Sequence, residues 1–359
     1  MTKKRIKTKE LAVGMIVADD VYSMNGQLIM TRNTIVSERT IARLRFYSVP
    51  AVNVMEVKET DTDNEQDATL SALIKKSEEY REFRKDFTAV TRNLDEVMGK
   101  TLIGELRQDD LVDIVSREIA LFARRDGKFS FMDMFHNMRE MSDSVFTHSV
   151  NVSLVSIMLG RWLGLPKEDL EILAVAGLLH DIGKLEIPEA ILNKPYKLTD
   201  KEYAVMKTHA LKGYTILENA KLDERIREVA LNHHERCDGS GYPVGLTGDK
   251  IPDFAKIVMI ADVYDAMTAG RVYREPICPF DVIQKFENDG LYLYEASYIM
   301  TFLKNIANTY NHSAVRLDDG REGEIIMINN LNLSRPVIRV GEEYIDLSKE
   351  KEYKIKTII

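Results

Sequence analysis

Cysteine is almost absent from this chain. The two that occur, Cys237 and Cys278, form no CxxC pair. No disulfide framework is expected, and a reducing cytoplasm is the simplest home. Long apolar runs are also missing. None approaches the ~20 residues that a bilayer-spanning helix needs. The first residues, MTKKRIKTKE, are charged and have no apolar stretch behind them, so no signal peptide is expected. There is no excess of positive charge either. The net charge is -8, which argues against a protein that coats a polyanion, although a local basic pocket can still take a small anionic ligand. Internal repeats are absent too.

What remains is ordinary for a water-exposed globular protein: 45% hydrophobic and 30% charged residues in 359. That length suggests about two or three domains. The pattern changes style along the chain. Residues 1 to about 57 read as short strands with one helix. VYSMNGQLIM carries Asn25-Gly26 between apolar flanks, a hairpin signal, and AVNVMEV alternates as a strand does. SERTIARLRFYSV, opening on Ser37, predicts a short helix. KETDTDNEQD is acidic and nearly free of apolar residues, as a linker is. From about 66 to 312 the period is helical. LEILAVAGLLHDIGK is apolar on nearly every face and predicts a buried helix. Thr199 with Glu202 three residues later predicts a capping box. After about 313, turns at Asp319-Gly320 and Gly341 predict a small β unit of about four strands. The expected organisation is an N-terminal α+β module with its linker (1–64), a helical linker region (65–139), a helical catalytic domain (140–312) and a C-terminal β subdomain (313–359). The fold class is mainly α.

The chemistry is concentrated in HHERCDGSGYP, where two of only seven histidines, His233 and His234, stand side by side before a turn. Three more lie upstream at His148, His180 and His209. Two aspartates join them: Asp181, next to His180, and Asp262, inside the apolar IVMIADVYDA. A carboxylate in so apolar a helix is costly unless it is paired or bound to a metal. Neighbours on a helix point about 100° apart, so an adjacent pair serves one site only at a helix end. Gly183 is expected to loosen the backbone there. Any one of these histidines alone would be an ordinary core or surface residue. Seven such groups in order within one helical segment suit two nearby metal ions. His136 and His312 have no evident partner and are left as structural or surface residues.

HDIGK with HHERCDGSGYP resembles the HD-GYP subgroup of the HD phosphohydrolase superfamily, whose HHExxDGxGYP pattern is matched at every fixed position. NKPYKLTDKEYAVMKTHALKGYTIL and ADVYDAMTAGRVYRE are similar to further segments of that family, and the likeness covers roughly residues 140 to 312. It implies an all-helical core that hydrolyses cyclic di-GMP to pGpG, and often to GMP, through a bridging hydroxide on two metals. By motif, the ligands would be His148, His180, Asp181, His209, His233, His234 and Asp262, with Asp181 bridging. Lys184 would contact the substrate phosphate, and Asp181 and Lys184 would be the catalytic pair. Arg271 and Arg274 would hold phosphate or guanine. Gly241, Tyr242 and Pro243 would shape the site, with no catalytic role for Tyr242, and the loop could also meet a partner protein. Glu235 would orient a histidine, and Asp265 would be structural.

The family's three-metal members carry a glutamate where this chain has Ser144, so two metals are expected. The thiolate-free ligand set fits iron or manganese, with zinc, cobalt or nickel as alternatives, and the resemblance implies iron or manganese. Other readings are a phosphodiesterase for another cyclic dinucleotide such as cyclic GMP-AMP, a nucleotide monophosphatase, and a sensor that binds cyclic di-GMP without cleaving it. A homodimer through the helices between 66 and 140 is a further expectation.

Overall fold

The computed structural model describes residues 2–8, 11, 15, 17–22, 28–30, 36, 41, 44, 49–56, 70–106, 110–111, 131–138, 145–192, 194, 196–268 and 277–359. They fall into two compact units, Met1–Asp67 and Ala68–Ile359.

In the first unit, β1 (Thr2–Lys7) pairs antiparallel with β4 (Ala51–Glu56), and β2 (Val21–Tyr22) pairs with β3 (Leu28–Met30). Val52 and Val54 alternate inward and join Leu44, Val17 and Val36 in a small core. This is the alternation expected for AVNVMEV. The Asn25-Gly26 turn, the acidic linker and the start of the helix at Ser37 lie outside the described residues.

The second unit is helical. Its helices run α1 (Leu70–Lys76), α2 (Glu78–Leu102), α3 (Phe131–Met138), α4 (Val145–Trp162), α5 (Lys167–Leu179), α6 (Glu189–Leu192), α7 (Asp200–Lys207), α8 (His209–Asn219), α9 (Glu224–Asn232), α10 (Asp253–Thr268), α11 (Pro279–Leu293) and α12 (Ala296–Asn308), with a 3-10 turn at Ile182–Glu186. No described helix is long and apolar enough to cross a membrane. Two helices are central. Residues 149–160 of α4 are buried without a break, and so are residues 255–262 of α10. Helices that are apolar all round belong inside other helices, and α4 packs on both α5 and α10. The backbones of α4 and α5 come close at Gly177, where a Cβ would stand 2.6 Å from Ser153 Cα. Thr199 caps α7 through the expected box with Glu202. Asp223 caps α9 by accepting the Arg225 N–H at 2.9 Å.

The C-terminal unit has five strands rather than about four. β5 (Ala314–Leu317), β6 (Glu322–Met327), β7 (Val337–Val340), β8 (Glu343–Asp346) and β9 (Ile355–Ile358) form an antiparallel sheet ordered β8-β7-β6-β5-β9. The last strand returns to pair with β5, and no turn motif in the sequence announces it. The sheet is fastened to α11 by the Glu287 carboxylate, which accepts from the Leu333 N–H at 2.6 Å and the Ser334 hydroxyl at 2.5 Å.

Candidate metal centre

The centre is assembled largely where helices stop. α5 ends at Leu179, His180 forms its C-cap, and Asp181 turns away with φ -100° and ψ 10° into the 3-10 turn. The break lets two adjacent side chains face one space. Gly183 serves this differently from the loosening expected of it. Its position is one of close approach: a Cβ there would overlap the His209 carbonyl oxygen and lie 2.5 Å from Gly213 N. The 3-10 turn therefore rests directly on the first turn of α8, where His209 begins. His233 caps the end of α9 in the same way as His180 caps α5, and His234 follows it. His148 comes from the first turn of α4, and Asp262 from the middle of α10.

These seven residues converge. Donor atoms of Asp181, His209, His233 and His234 lie within 4.8 Å of one another, and so do those of His148, His180 and Asp262. Asp181 stands between the groups. Its Oδ1 is 3.4 Å from His209 Nε2 and 3.6 Å from His233 Nε2. Its Oδ2 is 3.3 Å from His180 Nε2 and 3.7 Å from His148 Nε2. Asp262 Oδ1 lies 3.1 Å from His148 Nε2, and its Oδ2 is 3.8 Å from His234 Nδ1.

The rings are aimed from behind. His180 Nδ1 is 2.8 Å from the Gly177 carbonyl, and His209 Nδ1 is 2.8 Å from that of Met206. His233 Nδ1 lies 3.1 and 3.0 Å from the Val229 and Ala230 carbonyls. A carbonyl can only accept, so Nδ1 carries the hydrogen and Nε2 presents a lone pair. His148 Nδ1 meets a carboxylate instead, Asp265 Oδ2 at 2.7 Å. Asp265 is thus more than the structural residue expected. It lies three residues after Asp262 on the same helix, so both carboxylates reach the same histidine. That spacing was the available sequence signal.

Burial and charge set the protonation. Burial pushes His209 down to about 4, and it lowers His233 and His234 as well. His148 is the exception. Burial pushes it down, but hydrogen bonds to Asp262 and Asp265 outweigh that and raise it to about 9. Burial alone would raise Asp181, yet Lys184 and His180 hold it well below the usual carboxylate range. Lys184 Nζ makes an ion pair with Asp181 Oδ2.

The residues fit a divalent cation. His180 Nε2 and Asp181 Oδ1 are buried and have no hydrogen-bond partner, a costly condition unless something else meets them. Imidazole and carboxylate without thiolate suit first-row divalent ions, and neither Cys237 nor Cys278 belongs to either group.

The loop after His234 is held by Glu235. It is fully buried, and its carboxylate accepts from the N–H groups of Val244 (2.8 Å), Gly245 (3.1 and 3.0 Å) and Leu246 (2.9 Å). It was expected to orient a histidine and instead clamps main chain. Gly241 permits the loop to fold back, since a Cβ there would collide with the main chain of Glu235 and Arg236. The Tyr242–Pro243 peptide is cis. The Tyr242 ring lies 4.7 Å from that of His234, and burial raises its phenol far from ionisation. His136 and His312 stand apart from the cluster. His136 meets Tyr310 Oη at 3.2 Å, and His312 is exposed beside Glu324 at 3.0 Å. Ser144, Arg271 and Arg274 lie outside the described residues.

An all-helical core that gathers histidines and aspartates from successive helix ends is the build of a metal-dependent hydrolase of the HD class. The model of the family described as "HD domain" matches residues 133–292. Cyclic di-GMP phosphodiesterase PA4108 of Pseudomonas aeruginosa is 28% identical over 94% of this chain and 84% of its own length. 3'3'-cGAMP-specific phosphodiesterase 2 of Vibrio cholerae is 43% identical over 36% of this chain, which spans only 25% of that protein. Among solved structures, Bd1817, an HDG"Y"P protein from Bdellovibrio bacteriovorus, superposes with a TM-score of 0.53 at 16% identity, covering 85% of this chain and 99% of its own. That last likeness is one of fold. Residues 133–292 thus match the HD-domain family, and nearly the whole chain is similar to a protein named as a cyclic di-GMP phosphodiesterase.

Proposed function

We propose that this chain is a metal-dependent phosphodiesterase that hydrolyses cyclic di-GMP to pGpG or onward to GMP. The observation that carries the reading is the division of the Asp181 carboxylate, one oxygen toward each histidine group, in a buried space with orphaned donors. The proposed cofactor is two divalent ions, iron or manganese. His209, His233 and His234 would hold one, His148, His180 and Asp262 the other, and Asp181 would bridge them. When bound, such ions acidify water and neutralise charge on the phosphate. The catalytic region would span about residues 140–312, in a cytoplasmic protein.

The chain's own residues supply the rest. The carbonyls behind His180, His209 and His233 keep those rings aimed, with Nε2 toward the centre. Lys184, paired with Asp181, would contact the scissile phosphate. There it would steady the charge that develops on the phosphate oxygens. Arg271 and Arg274 are proposed to hold the second phosphate or a guanine. Glu235 and Gly241 keep the loop through Pro243 in place beside the site. This loop is also the proposed surface for a partner protein, and the helices before residue 140 the proposed dimer contact.

A second reading is cleavage of a mixed cyclic dinucleotide, supported by the relative named for 3'3'-cGAMP. The test is to load anaerobically purified protein with Fe(II) or Mn(II), incubate it with each cyclic dinucleotide, and follow products by chromatography. Metal-dependent pGpG or GMP that disappears in His180→Ala/Asp181→Ala supports the proposal. Protein that binds metal and cyclic di-GMP yet yields no product with either metal overturns it in favour of a sensor.

A further inference from the structure

One aromatic and cationic cluster beside the centre has no part in holding metal. Tyr203, on α7, is 48% exposed although it is a large ring. It meets Tyr242 in a T-shaped contact, with centroids 6.4 Å apart and planes at 80°. Tyr242 in turn lies against His234 at 4.7 Å and His209 at 6.4 Å. Lys207 Nζ stands over both phenol rings, 5.3 Å from the centroid of Tyr203 and 5.8 Å from that of Tyr242. Among the described residues, Lys207 makes no ion pair with a carboxylate. Lys194, by contrast, is neutralised by Glu202 at 2.6 Å. An uncompensated cation between two rings, one of them half in water, invites a flat, electron-rich group bearing acceptors.

We infer that Tyr203, Tyr242 and Lys207 form the platform for one base of the substrate, and that Lys207 makes this platform prefer guanine to adenine. The inference rests on the phosphodiesterase reading and adds base selectivity to it. Rings at right angles form a corner in which a purine stacks on one face and abuts the other. Stacking on an aromatic ring accepts any base, so selection must come from the edge. Guanine offers two acceptors there, O6 and N7. Adenine pairs its N7 with an N6 amino donor, which an ammonium cannot meet. The corner begins one ring beyond His234 and His209, where a ribose would separate a phosphate at the centre from its base.

The test uses the full-length, metal-loaded chain and compares kcat/KM for cyclic di-GMP with that for cyclic di-AMP. It is paired with calorimetric binding of both ligands to metal-free protein. Lys207→Met is expected to lower the guanine-to-adenine ratio on the order of tenfold, the size carried by a good hydrogen bond to a base edge. The change should appear in KM and in binding affinity more than in kcat. Lys207→Arg keeps the donors and should keep the ratio. Tyr203→Leu should weaken both ligands alike, whereas Tyr203→Phe should not. A ratio that moves less than about twofold in Lys207→Met, with wild-type turnover of cyclic di-GMP intact, overturns the platform and leaves the phosphodiesterase standing. A wild-type protein that cleaves neither these ligands nor bis(p-nitrophenyl) phosphate overturns the phosphodiesterase reading, and the platform falls with it.

Discussion

Three histidines of the centre are fixed by main-chain carbonyls, and a fourth by a carboxylate. His180, His209 and His233 each lean on a carbonyl three or four residues back. These supports are local. They come with the helix end or turn that carries the ring, and they bring no charge. His148 leans on Asp265, 117 residues further on. Its support is tertiary, and it brings a negative charge. Three rings are thus aimed by the helix end or turn that carries them, while the fourth is aimed only when α4 and α10 are packed together. The difference also sorts the histidines by proton affinity: burial holds His209 at about 4, while two carboxylates raise His148 to about 9.

The comparison can be broken most severely at the residue both halves share. His180→Ala/Asp181→Ala should lower turnover on the order of a thousandfold or more, since several kcal/mol of charge stabilisation would go with the cations. Product chromatography and metal analysis read the two losses together. The close approach behind His209 can be tested by itself. Gly183→Ala drives a methyl into the His209 carbonyl and should cost about 3 kcal/mol, the upper end for overpacking. Urea unfolding of the metal-free protein measures it, and an unchanged midpoint would contradict the close approach.

The tertiary half can be sharpened rather than broken. Asp265→Asn keeps an oxygen for His148 Nδ1 but removes its charge, making this support resemble the other three. Affinity for the second cation should fall about ten- to a hundredfold, with the first cation little affected. Stepwise titration would resolve them. Proton competition gives the smallest effect. Below about 9, His148 in the metal-free protein holds a proton that a cation must displace. Its site should therefore gain up to about tenfold in affinity between pH 7 and 8, while the His209 group, already neutral, should not. The same shift stabilises the metal-free fold fully below about pH 6.5, and this contribution is lost as pH rises through about 9. The melting temperature of metal-free protein should fall over that interval.

The helical core, the buried helices and the capping box were legible from periodicity and local motif. So was the set of seven residues that the fold brings together, because each lies where a pattern meets a helix end or an apolar run. What escaped depends on contacts between distant segments. Asp265 looks like any helical carboxylate until α4 is packed against it. Glu235 stands next to two histidines, yet its carboxylate serves main chain ten residues on. Gly183 reads as a loosener and turns out to be a contact point between backbones. The strand Ile355–Ile358 has no turn to announce it, because it pairs with a partner beyond three others.

The 117-residue reach from His148 to Asp265 has a consequence for the life of the protein in a cell. A chain emerging from the ribosome carries His148 long before α10 is made, and contacts so far apart in sequence close late. Until they close, half of the centre has no geometry. A cation that needs His148 can be held there in its final geometry only after α4 and α10 have packed.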